Sequence, residues 1–138
     1  MNTITRWILV SVVMSVMMIG AAPAFSSQAT HIFSCEQDDD TSEDDLRVEA
    51  QEWLAAARQM KGGANLEVYL YFPVAVNSLR ESDFFFVVVA PSFEQWGVFW
   101  DGYRNSPAEA ADKKSAGTET ACPNSGLWES EKVELKAK

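Results

Sequence analysis

The stretch DFFFVVVAP, residues 83–91, restricts the fold more than any other. Seven apolar residues, Phe84 to Ala90, follow one another with no polar residue among them. A strand with one wet face alternates apolar and polar side chains, whereas a run without alternation marks a strand covered on both faces. Seven residues are too few for a buried helix, and Pro91 ends the run. The chain therefore needs a sheet in which this strand is central, with a layer on each side of it.

The flanking segments supply that sheet and one of the layers. THIFSCE, residues 30–36, is rich in β-branched and aromatic residues and reads as a first strand. Leu46, Ala50, Trp53, Leu54, Ala57 and Met60 then recur on one helical face, and Gly62-Gly63 supplies a left-handed stop. In NLEVYLYFPV, residues 65–74, Leu66, Val68, Leu70 and Phe72 alternate with Glu67, Tyr69 and Tyr71, giving a strand with one aliphatic and one aromatic face. After the central strand, Ser92 and Gln95 form a capping-box pair, and Phe93, Trp96, Trp100 and Tyr103 lie on one helical stripe. Gly97 is expected to let this helix approach the sheet. Ser106-Pro107 restarts a helical turn. Residues 115–126 read as a loop, and Leu127 to Leu135 as a final strand polar enough for a sheet edge. The order is β-α-β-β-α-β.

Between the first strand and first helix lies CEQDDDTSEDDL, with seven acidic residues among the ten from Glu36 to Asp45. A calcium loop would place Asp38, Asp40, Ser42, Asp44 and Glu49 at positions 1, 3, 5, 7 and 12, but position 6, which requires glycine, holds Glu43. The run reads instead as a helix start. Thr41 or Ser42 caps it, and Glu43, Asp44 and Asp45 face the positive end of the helix dipole. No metal site is assigned.

The first 29 residues have the layout of a secretory leader: Arg6, an apolar run from Trp7 to Ile19, then small residues. Its 13 residues fall short of the ~20 that a spanning helix needs. Cleavage after Ala24 or after Ala29 satisfies the small-x-small rule, leaving residues 30–138 as one domain in the periplasm or extracellular space. With 20 acidic against 11 basic residues the chain carries a net charge of −9. That disfavours nucleic acid and anionic membrane surfaces as partners. In an exported chain the even pair Cys35 and Cys122 reads as a disulfide, with two buried thiols as the alternative.

The long first helix, the DFFFVVVAP strand running into the SFEQWGVFWDGY helix, and LWES opening the last strand together resemble the dimeric α/β-barrel superfamily. Small exported bacterial members of unassigned function are the nearest in character. The resemblance implies an α+β, ferredoxin-like βαββαβ fold with a four-stranded antiparallel sheet in the order 4-1-3-2. Cys35 and Cys122 would then meet at one end of adjacent strands. The helices would cover one sheet face and a second copy the other, making a homodimer.

Candidate chemistry is sparse. His31, the single histidine, reads as a surface or hydrogen-bonded strand residue. Neither helix offers the axial histidine that haem-binding members of the superfamily carry, so no haem or other cofactor is expected. Trp53, Trp96 and Trp100 sit at core spacing, and Arg80 and Arg104 read as solvated loop residues. Tyr69, Tyr71 and Trp128 are the candidates for a cavity between two sheets, because tyrosine pairs an apolar body with a polar tip. No catalytic residue is assigned. Two functions follow: a non-catalytic exported dimer binding a small apolar or aromatic compound or a protein partner, or a cofactor-independent oxygenase- or cyclase-like enzyme on an aromatic or polyketide-like compound. An ordinary tyrosine, with a pKa near ~10, is a slow proton acceptor at neutral pH, which favours the first.

Overall fold

The computed structural model describes residues 27–75, 82–116 and 120–133. Most of the expected leader, Arg80 and the last residues of the expected final strand lie outside them. The described chain runs β1 (Gln28–Gln37), α1 (Glu43–Ala57), β2 (Glu67–Tyr71), β3 (Phe84–Ala90), α2 (Phe93–Asp101), α3 (Pro107–Ala116) and β4 (Thr120–Ser130). The sheet has the order β2-β3-β1-β4 with every pairing antiparallel. This is the expected ferredoxin-like arrangement, with the all-apolar β3 in an interior position.

The helix starts follow from their caps. Ser42 accepts from the Asp45 backbone N–H at 3.2 Å, while the Asp45 carboxylate takes the Ser42 N–H at 3.0 Å. A cap of this kind stabilises a helix by about 1 kcal/mol. Glu43 and Asp44 add charge at the helix start and hold Arg47, each at 2.7 Å. The acidic run is thus partly a helix start, as expected, and no cluster that could hold a metal occurs among the described residues. Ser92 caps α2 by accepting from Gln95 N–H at 3.1 Å, but the reciprocal half of the box is not made. The Gln95 side chain donates instead to the Gly62 carbonyl at 3.1 Å. Ser106 caps α3, which begins at Pro107.

Three expectations about local structure are corrected. α1 stops at Ala57, five residues before Gly62. Gly62 does adopt a left-handed φ of +81°, but its role is close packing: a Cβ there would lie 2.7 Å from the Phe99 backbone nitrogen. Gly97 has nothing near the place a Cβ would occupy, so it does not mediate the approach of α2 to the sheet. The last strand begins at Thr120, seven residues before Leu127, and ends at Ser130. It starts early because β1 extends to Gln37 and offers a partner there. The ladder is broken once: Ser34 pairs with Asn124 and Glu36 with Ala121, so Cys122 and Pro123 together oppose the single residue Cys35. That two-for-one bulge accommodates a proline, which lacks a donor and is tolerated in strands at edges and bulges.

The strand registers divide the side chains between two faces. Ala29, His31, Phe33 and Cys35 of β1 share the helix-covered face with Phe84, Phe86, Val88 and Ala90 of β3. The core on this side forms two clusters. One joins Ala29, Val88 and Ala90 to Trp53, Ala57, Trp96 and Phe99; the smaller joins Cys35, Leu46 and Phe84. On the other face Tyr69, Val87, Ile32 and Gly126 form one row across the sheet, and Tyr71, Phe85, Ser34 and Asn124 the next. Val87 at its centre is buried, whereas Tyr69, Tyr71, Phe85 and Trp128 are exposed.

Candidate functional site

Between the two core clusters lies a cavity of about 270 Å³. Its floor is Phe33, Phe84, Phe86 and Leu70 from three strands; its walls are Leu46, Glu49, Ala50 and Trp53 of α1, then Trp100, Tyr103, Asp112 and Ser115. The cause is the layout of the helices. The apolar stripe of α1 reaches both clusters, through Leu46 to one and Trp53 and Ala57 to the other, whereas Trp96 and Phe99 of α2 belong only to the larger. Ala50, at the middle of the α1 stripe, is too small to fill the space that α2 leaves uncovered.

The Cys35–Cys122 disulfide also lines this cavity. It joins β1 to β4 across the bulge, with Cα atoms 3.9 Å apart. Cys35 is fully buried and Cys122 exposed. The expected pairing is therefore present, though Cys122 lies within the strand rather than before it.

A polar chain runs along one wall. The Trp53 indole N–H donates to the Tyr103 hydroxyl at 3.3 Å, and that hydroxyl donates to Asp112 at 3.1 Å. Burial pushes the Tyr103 pKa well above the usual phenol range, with Asp112 and Glu109 adding to the rise. Tyr103 thus holds its proton. The rings of Trp100 and Tyr103 stack 4.9 Å apart at 14°, continuing from a Trp96–Trp100 stack at 5.3 Å. The stripe read as core in the sequence is split by the structure: Trp96 is buried, while Trp100 is 44 % exposed and forms cavity wall.

His31 departs from its expected place. It is 9 % exposed, on the helix-covered face, with Phe33 stacked at 4.1 Å and the edges of Trp96 and Trp100 at 5.1 and 5.6 Å. Its Nδ1 is buried with no hydrogen-bond partner among the described residues. Burial lowers its pKa, so the ring is neutral at pH 7. A lone strand histidine gives no sequence signal of this. Its face depends on register, and two of the three rings around it come from α2.

Tyr69, Tyr71 and Trp128 come together only in the sense of sharing the opposite sheet face, at 44 %, 55 % and 60 % exposure. Tyr69 and Tyr71 stack with rings 7° from parallel on the edge strand β2, and the Tyr69 hydroxyl donates to Glu67. Trp128 belongs to β4 at the other edge, folded over Gly126, where a Cβ would meet the indole nitrogen at 3.0 Å. Arg104 is exposed, as expected.

No family model matches the chain, and no curated protein matches it. Solved structures similar to it include a dimeric protein of unknown function and ferredoxin-like fold from Bacteroides fragilis, at 12% identity with a TM-score of 0.41, covering 75% of this chain and 95% of that one. Another is a candidate chlorite dismutase, at 13% identity and a TM-score of 0.39, covering 75% of this chain and 43% of that one.

Proposed function

We propose that this chain is an exported, non-catalytic binding protein that holds a small apolar or aromatic compound in the cavity between α1 and the sheet. The observation that carries the reading is the cavity itself: four apolar floor residues and two tryptophans, with a few polar groups at the wall. Ligand sites are commonly built this way. The raised pKa of Tyr103 supports binding over proton abstraction, because a phenol that keeps its proton orients a ligand and does not act as a base. The disulfide is consistent with an oxidising compartment, and no helix among the described residues is long and apolar enough to cross a membrane. On this reading the leader is removed and the exposed face carrying Tyr69, Tyr71, Phe85 and Trp128 is covered by a second copy.

Two measurements test this. With 2-phenylethanol as probe, the indole N–H resonances of Trp53 and Trp100 should shift saturably, and Ala50→Leu, which fills the cavity, should abolish the shift in a folded protein. Shifts confined to Tyr69 and Tyr71, or none, would overturn the site. For the dimer, sedimentation should give twice the single-chain mass, and Tyr69→Ser with Tyr71→Ser should weaken association; a monomer at micromolar concentration would overturn that part.

A further inference from the structure

Resting on the reading that the cavity binds a ligand, we infer that the ligand is cationic: an amine whose apolar or aromatic body lies on the Phe33–Phe86 floor and whose ammonium group faces Asp112. The argument is one of charge complementarity. The side chains lining the cavity include two carboxylates, Glu49 and Asp112, and no lysine, arginine or histidine. Lys114, two residues along α3 from Asp112, is held by glutamates of α1: its ammonium lies 2.8 Å from Glu52 and is also drawn by Glu49. Asp112 makes no ion pair among the described residues. It accepts a hydrogen bond from the Tyr103 hydroxyl, a neutral donor that leaves the negative charge in place.

The surroundings favour a cation over a neutral or anionic ligand in three further ways. Tyr103, whose hydroxyl meets Asp112, belongs to an aromatic wall with Trp100, and aromatic rings attract ammonium groups. A ligand carboxylate would meet the like charge of Asp112, which is costly in a partly enclosed site. The net charge of −9 raises the local concentration of cations around the whole molecule. A volume of about 270 Å³ suits one ring with a short chain, and lies just below the roughly 300–1,000 Å³ typical of ligand pockets.

The test compares three probes of similar size on the intact chain, 2-phenylethylamine, 2-phenylethanol and 3-phenylpropionate, read by the Trp53 and Trp100 indole resonances at low salt. The amine should bind about tenfold more tightly than the alcohol, with the carboxylate weakest. Asp112→Asn, an exposed substitution that keeps an acceptor for Tyr103, should collapse the amine-to-alcohol ratio to about one. If the alcohol matches the amine in the unaltered chain, the inference falls and the binding reading stands. If Asp112→Asn weakens all three probes equally, Asp112 is structural and the inference falls. If no probe gives a saturable shift, both fall.

Discussion

Phe86 and Phe85 are neighbours on β3 and lead different lives. Phe86 faces the helices, meets Trp53 edge-on at 5.3 Å and forms cavity floor. Phe85 points the other way and is exposed, in a row with Tyr71. The contrast extends across the sheet. The helix-covered face is tied to its neighbours by aromatic packing, by the disulfide and by the Trp53–Tyr103–Asp112 chain. The opposite face is apolar at its centre and aromatic around it. One face is therefore expected to hold the fold and the other to meet a partner, and stability measurements should separate the two roles.

The largest effect should come from the disulfide. Its closure spans 87 residues, for which chain entropy predicts about 4–5 kcal/mol, an upper figure. Reduction should lower the melting temperature markedly, and hydrogen exchange should then accelerate in β4 before β3. Equal acceleration in the two strands would show that the sheet does not fray from its edge. Next, Phe99→Ala, at a fully buried site on the helix side, should cost about 3–5 kcal/mol in denaturant unfolding, whereas Tyr71→Ser should change single-chain stability by no more than about 0.5 kcal/mol. Comparable losses would erase the distinction between the faces.

The smallest effect is a pH dependence. The His31 pKa in the folded protein lies below its usual value of 6.5, so the folded state binds fewer protons than the unfolded one. Its contribution is fully present above pH 6.5 and is lost as pH falls from there through the folded pKa. Stability should decline over that window, and His31→Phe should flatten the slope. An unchanged slope would assign the decline to other groups.

Much of the fold was legible from side-chain periodicity. The unalternating run of β3 marked an interior strand, β2 showed its two faces, and Thr41-Ser42 and Ser92 marked helix starts, with the structure choosing Ser42 as the first cap. The start of β4 was not legible, because Thr120 to Gly126 is small and polar and becomes a strand only by pairing with β1. The two cysteines pointed to the right neighbourhood without fixing the register. The cavity was hidden for a different reason. Trp53, Trp100 and Tyr103 sit at core spacing, and helical periodicity does not reveal that α2 leaves part of the sheet uncovered. Asp112, on a separate helix, had no local signal at all.

The bulge at Pro123 has a consequence for self-association. Among the described residues β4 is paired on one side only, and a regular edge strand of 11 residues would present a ladder of free backbone groups that another chain could extend, the usual start of aggregation. Pro123 contributes no N–H to such a ladder, and the two-for-one register at Cys122–Pro123 divides the edge into two shorter runs. The proline that makes β4 an irregular partner for β1 also makes it a poor template for a stranger.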